Sequence, residues 1–295
     1  MKTTAYLQGI KNQNTAILGK AITLIESSLK KDQKQAVELI EKCIPLSGKS
    51  IRIGISGTPG VGKSTFIENL GMYLAEKYKI AILAIDPSSE ISKGSILGDK
   101  TRMVKLSNSK SAFIRPSPSQ GQLGGICNHT KDTITLCEAA GFNIIFIETV
   151  GVGQSESMVA SITDFFIYLT LAQNGDQLQF IKKGTLELSD IIIVNKSDQD
   201  TQKVKQTTLA LKNTLEHMTY RKKQAVFACS ALLNLNILNI WNYIKKLNDE
   251  KVKSGEIEQN RRNQNFFWLQ YIIENEFKNL IFENSKFMKK LNELK

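Results

Sequence analysis

The chain has 295 residues, of which 41% are hydrophobic and 23% charged, an ordinary composition for a globular protein. This length suits one large α/β domain with appendages or two modest domains. The four cysteines form no CxxC pair, and no apolar run approaches the ~20 residues that a membrane span needs. Because the N-terminus also lacks a long apolar secretory stretch, we expect a cytoplasmic protein with reduced thiols and no membrane partner.

The net charge of +11 raises the question of a nucleic-acid partner. The basic residues are spread along the chain, their short clusters lack interleaved aromatics, and no recognised nucleic-acid module is visible. An acidic partner, or a drift of the composition toward lysine, explains the excess as well. We therefore expect no nucleic-acid partner.

The first 48 residues are predicted to be a helical extension. Apolar residues recur at helical spacing from Ile17 to Leu29, and a second helix is predicted to begin near Asp32, with Asp32 as its N-cap. Pro45 and Gly48 are expected to end it.

Residues 49–247 alternate between short apolar runs and helix-length segments. The runs are typical of buried parallel strands and fall at 51–55, 80–85, 113–114, 143–147, 165–171, 191–194 and 225–228. Helices are predicted at 64–77 and 130–140, and loops at 88–103 and 115–125. This order predicts an α/β fold with a doubly wound, mostly parallel sheet, whose ligands bind at the carboxyl ends of the strands.

The residues from 248 to 295 are charged and then amphipathic. One helical stripe is apolar, and aromatic residues flank it; together they comprise Phe266, Leu269, Ile273, Phe277 and Leu280, with Phe267, Trp268 and Tyr271 alongside. We predict a C-terminal helical arm.

A phosphate-binding loop follows the first predicted strand. The segment matches G-x-x-x-x-G-K-[ST] at every fixed position and is followed by a predicted helix. Glycines let backbone N–H groups approach phosphate oxygens, and the helix directs its positive end toward them. Lys63 is expected to reach the β/γ-phosphates as a catalytic group, and the Ser64 hydroxyl to bind Mg²⁺. The nucleotide-binding residues of this loop are Gly57, Thr58, Pro59, Gly60, Val61, Gly62, Lys63, Ser64 and Thr65.

A base-reading motif of the form N-K-x-D follows the apolar run 191–194. The Asp198 carboxylate can accept hydrogen bonds from both N1–H and the exocyclic amine of guanine, a pair of donors that adenine lacks. Asn195 can hold the O6/N7 side of the base or tie loops together, and the stem of Lys196 can lie over the ring. After the last strand, Ser230, Ala231 and Leu232 are expected to bring a backbone N–H toward O6. The spacing favours GTP over ATP.

An acidic residue closes the strand at 143–147. Glu148, followed by Thr149, Val150 and Gly151, stands where a catalytic magnesium neighbour and a γ-phosphate-sensing glycine are normally found. Asp86 at the end of the second strand, and Asp99 in the long loop, are further candidates for the Mg²⁺ shell. The metal site is therefore predicted from Ser64, Asp86, Asp99 and Glu148.

Six further strings make a specific resemblance. AIDPSS, GSILGDKTRM, RPSPSQGQLGG, ETVGVGQSE, GDQLQFIKKG and NKSD, in this order behind GISGTPGVGKSTFIE, resemble the methylmalonyl-CoA mutase-associated GTPases. The resemblance runs from about Ile17 to at least Trp241. It implies a P-loop GTPase domain between helical extensions, in a homodimer that binds GTP/GDP and Mg²⁺. It also implies a chaperone that gates cofactor loading of an adenosylcobalamin-dependent acyl-CoA mutase and protects it.

The resemblance also implies a partner-sensing switch in the GDQLQFIKKG loop. Asp176, Gln179 and Lys182 match the family there, and Lys182 would supply catalytic positive charge to the transition state. Gln177 and Phe180 stand where the family usually has Glu and Gly. Asn234 and Asn236 replace glycines that commonly follow the Ser-Ala motif.

Two other functions remain as alternatives. A metallochaperone GTPase for a nickel enzyme would need a Cys/His ligand cluster, and only Cys127 and His129 stand close together. A small-molecule kinase would need an acceptor pocket and a catalytic base, for which no motif is evident.

Overall fold

The computed structural model describes residues 1–86, 103–118, 123–149, 155–172, 183–217 and 224–283. The chain divides into two compact units, Met1–Asn248 and Asp249–Lys295. Within the described ranges, no helix combines the length and apolar character required to cross a membrane.

The first unit is built on a sheet of seven parallel strands, as predicted. The strands are β1 (Ile51–Gly57), β2 (Ile80–Asp86), β3 (Ala112–Pro118), β4 (Ile144–Thr149), β5 (Phe165–Leu171), β6 (Ile191–Asn195) and β7 (Ala225–Ala228). Their spatial order is β3-β2-β4-β1-β5-β6-β7. Every neighbouring pair is parallel, so the carboxyl ends meet at one edge of the sheet.

The helices connect the strands in chain order. The first unit begins with α1 (Thr3–Lys11), α2 (Thr15–Ile25) and α3 (Lys30–Cys43), and a single 3-10 turn (Ile44–Leu46) leads into β1. The helices that follow are α4 (Lys63–Leu74), α5 (Val104–Ser107), α6 (Leu123–Ala139), α7 (Ser155–Ala160), α8 (Lys183–Leu188), α9 (Thr201–His217), α10 (Ile237–Lys253) and α11 (Glu256–Glu283).

The strand register brings the predicted motifs to the same edge. β1 lies between β4 and β5, with Ile55 opposite Glu148 and Gly57 opposite Leu169. The phosphate loop leaves β1 at this edge, where β4 delivers Glu148 and β6 delivers Asn195. Strands β4 and β6 have neighbours on both sides and are buried along their whole length, which explains their unbroken apolar sequence.

The predicted loop at 115–125 was wrong at both ends, and its residues 119–122 lie outside the described ranges. Strand β3 continues through Pro116 to Pro118, and helix α6 begins at Leu123 rather than near residue 130. Proline has no N–H to donate to a strand ladder, and β3 is an edge strand that pairs with β2 alone, where a missing donor is tolerated. The prolines are therefore compatible with a strand here, although they resemble loop residues in the sequence.

The helical N-terminal extension contains three helices. The side chain of Asn14 caps α2 by accepting a hydrogen bond from the Ile17 N–H at 3.0 Å. The prediction of Asp32 as an N-cap was wrong, because α3 begins at Lys30 and Asp32 lies within its first turn. Asp32 instead accepts a hydrogen bond from the Ser27 hydroxyl at 2.7 Å, which holds the turn between α2 and α3.

A buried ion pair ties the start of β1 to helix α6. The guanidinium of Arg52 donates two hydrogen bonds to the Glu138 carboxylate, each of 2.9 Å. The same carboxylate accepts from the Gly48 N–H at 2.7 Å and from the Ser50 hydroxyl at 2.5 Å. Four hydrogen bonds thus converge on one buried carboxylate at the sheet edge opposite the motifs.

The second unit contains the long helix α11. Along this helix Phe266, Leu269, Ile273 and Phe277 are more than half exposed, so the predicted apolar stripe is a surface in the single chain. Trp268 is buried, and its ring packs edge-on against Phe267 and Tyr271 with centroid separations of 5.7 and 5.2 Å.

Candidate functional site

The phosphate loop connects β1 directly to α4, and its glycines are required by close contacts. A Cβ on Gly57 would collide with the carbonyl oxygen of Leu169 on the neighbouring strand. Gly62 has φ of +96°, and a Cβ there would lie 2.6 Å from the amide nitrogen of Asn195. Side chains are therefore excluded where the loop turns into the helix.

Lys63 lies folded over the loop. Its ammonium group donates hydrogen bonds to the carbonyl oxygens of Gly57, at 2.8 Å, and Thr58, at 3.3 Å. The residue is only 8% exposed, whereas Thr58, Pro59 and Gly60 are exposed. A buried cation thus stands beneath an accessible loop of backbone, which is a favourable environment for an anion.

Ser64 and Glu148 meet at the start of α4. The Ser64 hydroxyl donates to the Glu148 carboxylate at 2.9 Å, and Glu148 is 8% exposed. Asp86 ends β2 at the same edge, but its side chain lies outside the described residues, as does all of Asp99. Mg²⁺ prefers oxygen ligands, so the Ser64 hydroxyl and the Glu148 carboxylate are suitable ligands for this ion.

Asn195 joins the phosphate loop to the base loop. Its amide nitrogen donates to the Val61 carbonyl at 2.8 Å, and its amide oxygen accepts from the Ala231 N–H at 3.0 Å. Of the two roles left open by the sequence, the geometry supports the tying of loops. Asn195 is 2% exposed, so this link is inside the protein.

The rest of the N-K-x-D motif faces outward. Lys196 has φ of +58°, which turns the chain after β6, and Asp198 is exposed. The turn is held by a hydrogen bond of 2.9 Å from the Ser197 N–H to the Cys229 carbonyl. Burial, and then the negative charge of Asp198, raise the pKa of the Cys229 thiol to about 12. Cys229 is therefore a neutral thiol beside an accessible carboxylate.

The Ser-Ala loop follows β7. Ser230 is buried and its hydroxyl accepts from the Leu233 N–H at 3.2 Å, while Leu232 is 72% exposed. Asn234 and Asn236 have φ of +57° and +65°. Asparagine tolerates this left-handed backbone better than other side-chain-bearing residues, so the two replacements of glycine keep the turn.

Several predicted residues lie outside the described ranges. These are Val150 and Gly151 after β4, and the switch residues Asp176, Gln179 and Lys182, together with Gln177 and Phe180. The backbone and side-chain placement of the proposed switch therefore stays a prediction.

Two contacts at the site involve residues that the sequence did not single out for a role. The Thr149 hydroxyl donates to the Ser56 hydroxyl at 2.8 Å, between the strands that carry Glu148 and the phosphate loop. The amide of Asn69 on α4 donates to the Ala231 carbonyl at 2.7 Å. Thr149 lies within the ETVG string, whereas no sequence signal marks Asn69.

The nickel alternative would require a cluster of metal ligands. In the part of the chain that the structure describes, no group of three or more His, Cys, Asp or Glu side chains could hold a metal ion. Burial lowers the pKa of His129, with a hydrogen bond to the backbone of Ile25 opposing it, which indicates a packed histidine on α6.

A phosphate loop before α4, a hydroxyl–carboxylate pair suited to Mg²⁺ and an N-K-x-D turn at one edge of a parallel sheet define a P-loop GTPase. The family model described as methylmalonyl-CoA mutase-associated GTPase MeaB matches residues 18–286. The chain belongs to this family and is a GTPase.

Similar proteins extend over most of the chain. A probable GTPase of Mycobacterium tuberculosis is 42% identical over 290 residues, covering 97% of this chain and 86% of that protein. The mitochondrial methylmalonic aciduria type A homolog of Mus musculus is 38% identical over 281 residues, covering 90% and 68%. The crystal structure of an LAO/AO transport system kinase is 35% identical, with a TM-score of 0.82 over 97% of this chain and 88% of that one.

Proposed function

We propose that this GTPase is a chaperone of an adenosylcobalamin-dependent acyl-CoA mutase of the methylmalonyl-CoA mutase type. It gates cofactor loading and protects the mutase, using GTP as a switch. The family to which the chain belongs, and the name of the mouse relative, support the mutase as client. The proposal favours this client over a nickel enzyme or a kinase substrate.

The assignment of the GTP site is supported above all by one observation: Ser64, Glu148 and Asn195 lie together at one edge of the sheet. In the bound state Lys63 exchanges its carbonyl partners for the β/γ-phosphates, and the loop N–H groups hold the phosphate oxygens. Ser64 and Glu148, with Asp86 and Asp99, would hold Mg²⁺. The bound ion would supply positive charge that offsets the negative charge of the phosphates.

The guanine base occupies the N-K-x-D side of the site. Asp198 accepts from N1–H and the exocyclic amine, and Lys196 lies along the ring. The Ser230-Ala231-Leu232 loop donates to O6. The exposure of Asp198 supports this role.

Coupling to the mutase resides in the loop that contains Asp176, Gln179 and Lys182. In the complex with the mutase, Lys182 stabilises the charge that develops on the transferred phosphoryl group, as an arginine finger would. Gly151 senses the γ-phosphate through its N–H. The matching string GDQLQFIKKG supports this proposal.

The functional unit is a homodimer formed through α11. This helix exposes Phe266, Leu269, Ile273 and Phe277 along one stripe. Four large apolar side chains in one exposed stripe are typical of an interface rather than of a free surface. A second copy of the chain, which presents the same stripe, is the occupant proposed.

The proposed compartment is the cytoplasm. Cys43, Cys137 and Cys229 are buried free thiols among the described residues, and burial raises the pKa of each. Buried neutral thiols without cross-links fit a reducing compartment.

Hydrolysis measured with and without a candidate methylmalonyl-CoA mutase tests the proposal. We expect turnover that is selective for GTP over ATP and rises when the mutase is added. The Lys182→Ala variant is expected to keep the basal rate and lose the rise. A rate of GTP hydrolysis that does not change when the mutase is added would contradict the proposed client but not the GTPase activity.

A further inference from the structure

Asn69 lies on α4, the helix that also begins with Lys63 and Ser64. Its amide nitrogen donates a hydrogen bond of 2.7 Å to the carbonyl oxygen of Ala231, which is 162 residues away in the chain. The side chain is half-buried. Asn69 belongs neither to the phosphate loop nor to the N-K-x-D motif. It connects the helix that follows the phosphate loop to the Ser-Ala loop.

Ala231 is held from its other side as well. Its N–H donates to the amide oxygen of Asn195 at 3.0 Å, and the amide nitrogen of Asn195 donates to Val61 at 2.8 Å. The hydrogen bonds and α4 therefore form a closed circuit that runs from Val61 through Asn69, Ala231 and Asn195 back to Val61. Both backbone polar groups of Ala231 are occupied inside this circuit.

The contact to the Ala231 carbonyl has a consequence for the next residue. The Ala231 carbonyl and the Leu232 N–H belong to one planar trans peptide, so they point in opposite directions. An amide that fixes the carbonyl toward α4 thereby fixes the direction of the Leu232 N–H. The Ala231 N–H is engaged by Asn195, and Leu232 is a 72% exposed residue, so the Leu232 N–H is the next backbone donor of this loop that can face a ligand.

We propose that Asn69 is a positioning residue for guanine recognition, which directs the Leu232 N–H toward O6 of the base. This inference rests on the base site proposed above. Guanine has an acceptor at C6, whereas adenine has an amino group there. If the Leu232 N–H is held in one direction, it makes a hydrogen bond to O6 of guanine. With adenine the same N–H faces the amino group, so that two donors meet and no hydrogen bond forms. The rigidity of this peptide therefore contributes to the selectivity for guanine over adenine.

The test separates the C6 contact from the contact to the exocyclic amine. Dissociation constants are measured by calorimetry for GDP, 6-thio-GDP and IDP. 6-Thio-GDP differs from GDP in the acceptor at C6 alone, and IDP lacks the amine that Asp198 is proposed to bind. The variants are Asn69→Leu, which keeps the approximate shape without the amide, and Asn69→Gln, which keeps the amide. Met72→Ala, an exposed change on the same helix, is the control.

In Asn69→Leu we expect GDP to bind about tenfold more weakly, the loss of one hydrogen bond. We also expect its preference for GDP over 6-thio-GDP to shrink, while its preference for GDP over IDP stays at the wild-type value. Asn69→Gln should recover part of the preference for GDP over 6-thio-GDP. Met72→Ala should leave both preferences at their wild-type values. If Asn69→Leu is poorly folded, Asn69→Ser gives the same comparison with a shorter side chain.

An unchanged preference for GDP over 6-thio-GDP in both the Leu and Ser variants would overturn the inference. That result together with a lowered melting temperature would assign Asn69 a purely structural role. The wild type provides the separate test of the base site. If it shows no preference for GDP over IDP, the proposed contact of Asp198 fails, whereas the inference about Asn69 is decided by the comparison of GDP with 6-thio-GDP.

Discussion

The hydroxyl of Ser64 donates a hydrogen bond of 2.9 Å to the carboxylate of Glu148. The first residue stands at the start of α4 and the second near the end of β4, so the contact joins the phosphate loop to the strand that leads toward Gly151. Both oxygens are suitable ligands for a magnesium ion. Binding of the ion would replace the direct hydrogen bond between the two side chains.

Replacing Ser64 by alanine should weaken the magnesium dependence of nucleotide binding. The affinity for GDP is measured with and without Mg²⁺, and the factor by which Mg²⁺ increases it is compared between the proteins. We expect this factor to be about tenfold smaller in Ser64→Ala than in the wild type, a difference of ~1.4 kcal/mol in binding free energy. Ser64→Thr retains the hydroxyl and should behave like the wild type. An equal gain in Ser64→Ala would contradict the metal assignment.

The hydroxyl pair of Thr149 and Ser56 should stabilise the sheet beneath the site. Both residues are at most 1% exposed. Thr149→Val keeps the shape but removes the hydrogen bond, which should cost about 1–3 kcal/mol and lower the midpoint of urea unfolding. Thr149→Ser keeps the hydroxyl and loses one methyl group, so we expect a cost of about 1 kcal/mol. A valine variant as stable as the wild type would show that the pair contributes nothing.

The Arg52–Glu138 pair should make stability depend on pH. Burial alone would raise the pKa of Glu138, but the hydrogen bonds and charge of Arg52, with Ser50 and Gly48, outweigh burial and hold the pKa below its usual value. Because the folded pKa is the lower one, this contribution is complete above the unfolded pKa of ~4.3 and is lost as the pH falls through the folded pKa.

Glu138→Gln tests this assignment. At pH 7 we expect the variant to be less stable by about 3 kcal/mol, since the partly buried guanidinium of Arg52 loses its counter-charge. The difference from the wild type, followed by urea unfolding, should narrow below pH ~4, where the wild-type carboxylate also becomes protonated. Glu41→Gln changes an exposed carboxylate and serves as the control. A difference that stays constant with pH would contradict the ionic role.

Much of the site could be predicted from the sequence because its chemistry depends on local spacing. The glycines before Lys63 and the turn at Lys196 need particular residues at fixed offsets, so their strings can be identified without the fold. The parallel sheet followed from apolar runs that alternate with helical segments. The prediction of a loop at 115–125 failed because the edge position that permits Pro116 in a strand is a property of the whole sheet.

The remaining contacts depend on residues far apart in the chain. Asn69 is an ordinary helical residue until α4 packs beside the Ser-Ala loop, and Glu138 lies 86 residues from Arg52. Such pairs are determined by tertiary packing and leave no local pattern.

The exposed stripe of α11 should control the oligomeric state. Charged replacements in Phe266→Glu/Phe277→Glu are expected to convert a dimer to a monomer in sedimentation experiments, because they bury unpaired charge at the proposed interface. GTP binding should persist. Asn263→Glu/Asn265→Glu adds the same charge at exposed polar positions of this helix and should leave the dimer intact. A wild type that sediments as a monomer at micromolar concentration would contradict the dimer.

If GTP is the switch of the proposed chaperone, we expect the nucleotide state of this GTPase to set its affinity for the mutase. The most direct measurement is the dissociation constant of its complex with methylmalonyl-CoA mutase, once with GDP and once with a non-hydrolysable GTP analogue, both with Mg²⁺. A ligand acts as a switch only through differential affinity for two states, so we predict constants that differ at least about tenfold. Equal constants in the two nucleotide states, or no binding in either, would contradict the account.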